Sequence, residues 1–196
     1  MKRYIAIALV LLCAMLVLGC GSEEAAAGGE AAGSESGILV ENAFKYTHVD
    51  GHGGEADYTA FVLFEYEQLR TIKYQVAYIA CTCRGPEVNY WSVAFVEINK
   101  ADNTIASMSF EEDDTDHYVA GLYGDSFVSW DGVPVRELFD GFIVDEIIGA
   151  SEEQIDAYQI MSGDADAYTG ATVTPNNAMT MLQGLFEYHN ANYGDA

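Results

Sequence analysis

Basic residues are scarce in this sequence of 196 residues. It contains 8 lysines and arginines against 31 aspartates and glutamates, which gives a formal net charge of −23 and a pI near 4.1. A nucleic-acid-binding protein needs a basic face, and eight cations spread along the chain cannot form one. The same imbalance disfavours direct electrostatic docking on an anionic lipid surface.

Several familiar signatures are also missing. The nucleophile motif Gly-x-Ser-x-Gly, the phosphate-binding P-loop and the glycine fingerprint of dinucleotide-binding proteins do not occur. No apolar run beyond residue 18 is long enough to span a bilayer. Because half of the residues are apolar and 12% are aromatic, the chain is not a wholly disordered acidic tail.

The first twenty residues are typical of an exported protein. Lys2 and Arg3 form a short positive region, and residues 5–18 are an apolar run of signal-peptide length. The run ends in LVLGC, which resembles a bacterial lipobox and implies that Cys20 is lipidated and becomes the new N-terminus. The alternative is a plain secretory signal in which this cysteine occurs by chance. With the lipobox, acyl chains anchor the protein at the extracytoplasmic face of the cell membrane.

The sequence predicts three segments. Residues 1–19 are the lipoprotein signal peptide, and residues 20–37 are the lipidated cysteine followed by a tether. The tether is rich in glycine, serine, alanine and glutamate and lacks large apolar side chains, so we expect it to be flexible. Residues 38–196 have a globular composition and form the functional domain.

Strand patterns come first in this domain and helix patterns follow. Strands are predicted at residues 58–66, 74–80, 90–98 and 104–110, with the last two joined as a hairpin. Helices are predicted at residues 134–139 and 151–160, and the second begins with a capping box of Ser151 and Gln154. Residues 142–148 fit a strand or a helix. This order predicts an α+β fold with a mainly antiparallel sheet and helices in the C-terminal half.

A final helix is predicted after residue 173, with Thr174 as its N-cap and Pro175 at the first helical position. Its apolar face is expected to comprise Ala178, Leu182, Leu185, Phe186 and His189. The segment that leads into it, DAYTGATVT at residues 166–174, is a turn of small residues and hydroxyls. Helix N-termini present unpaired amides that suit a phosphate. The alternative is an ordinary helix start with a threonine cap.

This segment resembles the flavinylation motif of the FMN-binding domain family: Asp, two variable residues, Ser or Thr, then Gly-Ala-Thr. The fixed positions are matched by Asp166, Thr169, Gly170, Ala171 and Thr172. In that family a flavin transferase moves FMN from FAD onto the final threonine as a phosphoester. The resemblance therefore implies that Thr172 carries covalent FMN, with the other motif residues and Thr174 at the binding site. It covers about residues 130–188 and implies that residues 38–196 are an FMN-binding domain with an FMN-binding-domain-like fold.

The function that this resemblance implies is extracytoplasmic electron transfer. Bound FMN would pass electrons between a membrane quinone-linked donor and an extracellular acceptor, and a flavin transferase would be the maturation partner. The chain is expected to be a carrier or part of a reductase system, with no catalytic residue assigned. The alternatives are a flavin reductase for a small organic acceptor and a non-redox solute-binding or cell-envelope interaction lipoprotein.

Cysteine and histidine provide two further candidate sites. Cys81 and Cys83 are a candidate redox pair, although two structural thiols or a disulfide are also consistent with the spacing, and a metal site less so because no second cysteine pair follows. A short glycine-rich stretch combines four residues of metal-ligand type: His48, Asp50, His52 and Glu55. We expect that stretch to be a solvated loop, so no metal site is predicted.

Overall fold

Side chains alternate between buried and half-buried positions along the central strands. In β3 (Thr71–Ile79) and β4 (Trp91–Asn99), every second side chain is buried, as the two-residue period of a strand requires. The computed structural model describes residues 42–82, 88–112, 121–123, 128, 132–158 and 173–194. All of them belong to one compact unit, Leu39–Ala196.

Five strands form an antiparallel sheet in chain order. The strands that flank the central pair are β1 (Ala43–Val49), β2 (Glu55–Glu67) and β5 (Ile105–Glu112). A two-residue β6 (Leu122–Tyr123) pairs parallel to β5. The four strands predicted from the sequence are confirmed, and so is the hairpin, because Ala94 pairs with Phe110 and Ile98 with Ile105.

The helices follow in the C-terminal part of the chain, which confirms the α+β prediction. They are α1 (Val135–Phe142), α2 (Glu152–Ala157) and α3 (Val173–Tyr193), with a π-helical turn (Ile143–Ile147) after α1. The ambiguous residues 142–148 are therefore largely helical. At the predicted capping box, the Ser151 N–H donates to Gln154 Oε1 at 3.0 Å. Among the described residues, no helix is long and apolar enough to cross a membrane.

The core lies between one face of the sheet and the helices, and α3 contributes most to it. All five residues predicted for the apolar face of the last helix are buried. Close packing on β1 depends on Gly184, where a Cβ would overlap the carbonyl oxygen of Lys45. Farther along α3, the rings of Phe44 and Tyr188 lie 5.9 Å apart. The helix therefore follows β1, with its first turns near Val49 and its later turns near Phe44.

Two predictions about α3 are wrong in detail. The helix begins at Val173, so Thr174 is its second residue rather than its N-cap, and Pro175 is the third rather than the first. Proline fits there because the first four N–H groups of a helix have no partner within the helix.

The stretch around His48 also differs from its prediction as a loop. Thr47–Val49 belongs to β1, and β2 already begins at Glu55, which leaves Asp50–Gly54 as a tight turn. The sequence analysis did not predict β1. Its pattern is broken by His48, a polar residue at a buried position, and pairing with β2 and packing against α3 stabilise the strand instead.

Candidate functional site

The flavinylation motif directly precedes α3 in the sequence. Its five fixed residues, 166 and 169–172, lie outside the described residues, as do Cys20 and Cys83. Thr172 is joined by one peptide bond to Val173, the first residue of α3. The first turns of this helix are therefore the part of the candidate site whose geometry is known.

The beginning of α3 is unusual because its polar side chains are buried. Thr174 is 3% exposed, Asn176 is 7% exposed and Asn177 is fully buried. Polar side chains inside a protein need hydrogen-bond partners, since an unpaired buried group costs about 1–3 kcal/mol. The hydrogen bonds of Asn177 and Asn176 show how this end of the helix is held and which of its donors is unpaired.

Asn177 fixes α3 to the ends of two strands. Its Oδ1 accepts a hydrogen bond from the Val49 N–H at 2.8 Å, and its Nδ2 donates to the carbonyls of Val49 and Ala80, both at 3.0 Å. One side chain thus satisfies three backbone groups where β1 and β3 end. The sequence analysis did not identify Asn177, because the pattern of one helix does not reveal hydrogen bonds to distant strands.

Asn176 is the neighbouring side chain, and it differs in its hydrogen bonding. Within the described part of the chain, its Nδ2 has no hydrogen-bond partner. Residues in the first turn of a helix also have backbone N–H groups without intrahelical partners. The start of α3 therefore presents one side-chain donor that the described residues leave unpaired, beside backbone N–H groups that have no partner within the helix.

His48 lies on β1 one residue before Val49. It is 2% exposed, its ring stacks on Tyr58 with centroids 4.5 Å apart, and its Nε2 has no partner among the residues that the structure describes. Burial lowers the pKa of His48, an effect that the nearby Asp50 carboxylate partly opposes. The imidazole is consequently neutral at pH 7.

The predicted redox pair is close to α3 through Cys81. This residue follows Ala80, whose carbonyl is bound by Asn177, and it is buried and disulfide-bonded. Its partner lies outside the described residues. The disulfide is one of the alternatives that the sequence left open, and a redox role for Cys81 and Cys83 stays a prediction.

The His48–Glu55 stretch is organised by hydrogen bonds within its turn. Asp50 Oδ1 accepts from the backbone N–H groups of His52 and Gly54, each at 2.8 Å, and these bonds lower the pKa of Asp50. His52 is exposed whereas His48 is buried, so the two rings do not share one environment. In the described ranges, no group of three His, Cys, Asp or Glu residues is suited to hold a metal.

The other end of α3 borders a cavity of about 470 Å3. Polar and charged side chains line it, contributed by the end of β2, the β4–β5 turn and the last turn of the helix: Glu67, Lys100, Asp102, Asn103, His189 and Tyr193. Next to the cavity, His189 Nδ1 and the Tyr74 hydroxyl lie 2.7 Å apart in a buried hydrogen bond. Nothing in the sequence analysis predicted this cavity, because its residues come from distant parts of the chain.

Comparison of the chain with protein families, curated proteins and solved structures finds no match. The resemblance to the FMN-binding domain family therefore depends on the motif residues themselves.

Proposed function

We propose that this chain is an extracytoplasmic, lipid-anchored electron-transfer protein that carries FMN as a phosphoester on Thr172. The observation that carries the proposal is the start of α3, where the buried Nδ2 of Asn176, unpaired among the described residues, lies four residues after Thr172. The finer fold assignment, an FMN-binding-domain-like fold, is part of the same proposal.

The donors fit the phosphate end of FMN. Asn176 Nδ2 is buried and unpaired among the described residues, and the side chain of Thr174 is buried in the same turn. Unpaired N–H groups and the positive end of the helix dipole favour an anion there. A phosphoester on Thr172 would bring two anionic or polar oxygens to these donors and remove the cost of leaving them unpaired. The residues present therefore fit the group.

The anchoring by Asn177 supports a positioning role. It holds the helix start against the ends of β1 and β3 with three hydrogen bonds. A cofactor attached one residue before the helix would consequently have a rigid base on one side. Rigid elements hold functional groups more accurately than loops do.

FMN supplies the electron chemistry, since its ring system accepts and releases one or two electrons. The chain supplies attachment, orientation and a binding surface for the phosphate. His48 and Tyr58 form a stacked aromatic pair, and His48 directly precedes Val49, which is hydrogen-bonded to Asn177 near the helix start. Cys81 lies near the same helix start, which makes it a candidate to exchange electrons with the cofactor.

Attachment has a simple chemical balance. The Thr172 hydroxyl oxygen forms a bond to the phosphorus of the FMN portion of FAD. The bond between the two phosphates of FAD breaks, and AMP leaves with the proton of the hydroxyl. A covalent link suits an exported protein, because a dissociated cofactor is not replaced from the cytoplasm.

The test is the intact mass of the full chain after co-expression with a flavin transferase. We expect the wild type to gain the mass of one FMN less one water, and Thr172→Ala to gain nothing. Thr47→Ala is the matched control, because Thr47 is exposed on β1 and its loss should leave the gain intact. A transferase that modifies a control substrate but not this chain would contradict the proposal. That result would favour the alternative, in which the chain is a non-redox solute-binding or cell-envelope interaction lipoprotein.

A further inference from the structure

The cavity at the C-terminal end of α3 has the properties of a second binding site. Its volume of about 470 Å3 lies in the usual range for small-molecule sites. None of its lining residues belongs to the flavinylation motif or to the first turn of α3. We propose that this cavity binds a small organic cation through a primary ammonium group, whether or not the chain carries FMN.

The charges around the cavity favour a cation. Glu67 at the end of β2 and Asp102 in the β4–β5 turn contribute two carboxylates. The last turn of α3, described in full, contains no basic residue, so no side chain of that turn offsets the negative end of the helix dipole. The final carbonyls of a helix are acceptors without intrahelical donors. An ammonium group is the matching ligand, since it has three donors and no acceptor.

Asn103 supplies an acceptor without a donor. Its Nδ2 donates to Asn190 Oδ1 at 2.9 Å, while its Oδ1 is buried and unpaired in the part of the chain that the structure describes. Asn190 fixes this orientation, because its own Nδ2 donates to Glu152 Oε2 at 2.7 Å and its Oδ1 is therefore left to accept from Asn103. Oδ1 of Asn103 has almost no accessible surface, so a ligand in the cavity meets the exposed Asp102 carboxylate first.

An aromatic wall adds to the attraction. The rings of His189 and Tyr193 stack with centroids 5.4 Å apart, and the Tyr193 hydroxyl donates to Glu65, which holds the ring in place. Burial lowers the pKa of His189, although the Glu65 carboxylate opposes the shift, so the imidazole carries no charge at pH 7. A neutral aromatic surface attracts a cation instead of repelling it.

Lys100 shows which side of the cavity is available. Its Nζ lies 2.5 Å from Glu67 Oε1, so one ammonium group of the protein is already bound at that carboxylate. Asp102 Oδ1 accepts only from nearby Thr104, whose Oγ1 lies 2.7 Å away. The ligand ammonium is therefore expected on the side of Asp102.

The experiment is calorimetric titration of the full chain with putrescine, a four-carbon diamine, and with butane-1,4-diol, its neutral analogue. A salt concentration near 0.15 M limits the nonspecific attraction of the diamine to the acidic chain, because the screening length is then about 8 Å. We expect saturable binding of the diamine and none of the diol. Asp102→Asn should weaken the diamine roughly tenfold, while keeping an acceptor for Thr104.

Two further variants separate the site from general electrostatics and from misfolding. Asp57→Asn removes the same charge from an exposed position on β2 and should leave the affinity unchanged. Asp102→Glu keeps the carboxylate and should retain binding, which a misfolded variant would not do. The proposal is overturned if the diamine shows no saturable binding or if the diol binds equally well. It is also overturned if Asp57→Asn weakens binding as much as Asp102→Asn, or if Asp102→Glu abolishes binding.

Discussion

The two ends of α3 differ in the groups that they offer to a ligand. At the start of the helix, Asn176 Nδ2 is a donor without a partner among the described residues, and the first backbone amides lack partners within the helix, so this end suits an anion. At the other end, the carboxylates of Asp102 and of Glu67, which already binds Lys100, are acceptors that suit a cation. The helix dipole favours the same arrangement, because its positive end lies at the start of the helix and its negative end at the other end.

The difference also concerns how firmly each end is held. Three hydrogen bonds from one fully buried side chain, Asn177, anchor the start of the helix to β1 and β3. At the other end, the half-buried Asn190 links Asn103 to Glu152 through its own side chain. A dipole is common to every helix, so the strand ends and turns that surround each end decide whether a site forms there.

The largest expected effect follows from loss of the Asn177 anchor. Asn177→Ala leaves the Val49 N–H and the carbonyls of Val49 and Ala80 unpaired in a buried place. We expect the free energy of unfolding to fall by about 3 kcal/mol. Asn190→Ala, at the other end of the helix, should cost about 1 kcal/mol, since its surroundings are partly exposed. Urea denaturation measures both, and equal losses would contradict the difference in anchoring.

A smaller effect is expected at Gly184, where α3 packs closely on β1. Gly184→Ala places a methyl group against the Lys45 carbonyl and the Phe44 ring, so α3 must move away from the strand. We expect a loss of about 2 kcal/mol in the free energy of unfolding. Gly141→Ala is the matched control, because a Cβ at this position on α1 meets nothing within 4 Å. That variant should gain about 0.5 kcal/mol, and a similar loss in both variants would refute the packing argument.

The smallest effect is a pH dependence that both ends share. Burial lowers the pKa of His48 and of His189, while in the unfolded chain both titrate near the ordinary value of about 6.5. As the pH falls below that value, the unfolded chain takes up protons that the folded chain does not. The free energy of unfolding should therefore decrease between about pH 7.5 and 5.5.

Variants assign this pH dependence to the two residues. His48→Gln and His189→Asn should each make the free energy of unfolding fall less between the two pH values. The asparagine keeps an acceptor near the Nδ1 position for the Tyr74 hydroxyl. His52→Gln, at an exposed position in the β1–β2 turn, should leave the decrease as it is in the wild type. Urea midpoints at the two pH values measure the effect. A decrease that persists unchanged in both buried-histidine variants would refute the assignment.

Local patterns predicted much of the fold. The strands that became β2, β3, β4 and β5 were evident because alternating apolar residues are a property of each segment alone. The apolar face of α3 was evident for the same reason. β1 was missed because His48 puts a polar residue at a buried position of its pattern, and its strand conformation depends on β2 and α3. The helix begins at Val173 rather than at the predicted Pro175, because residue types along the chain fix a helix boundary only to within one or two residues.

The same distinction between local pattern and tertiary packing applies to the candidate sites. The sequence by itself determined the motif at residues 166–172, the acidic charge and the helix that follows the motif, since all three are contained in contiguous residues. The tertiary structure alone decided that Asn177 joins α3 to β1 and β3, that His48 is buried and neutral, and that distant residues enclose a cavity at the far end of the helix. Hydrogen bonding and burial between segments far apart in the chain depend on the final packing, and no local pattern encodes them.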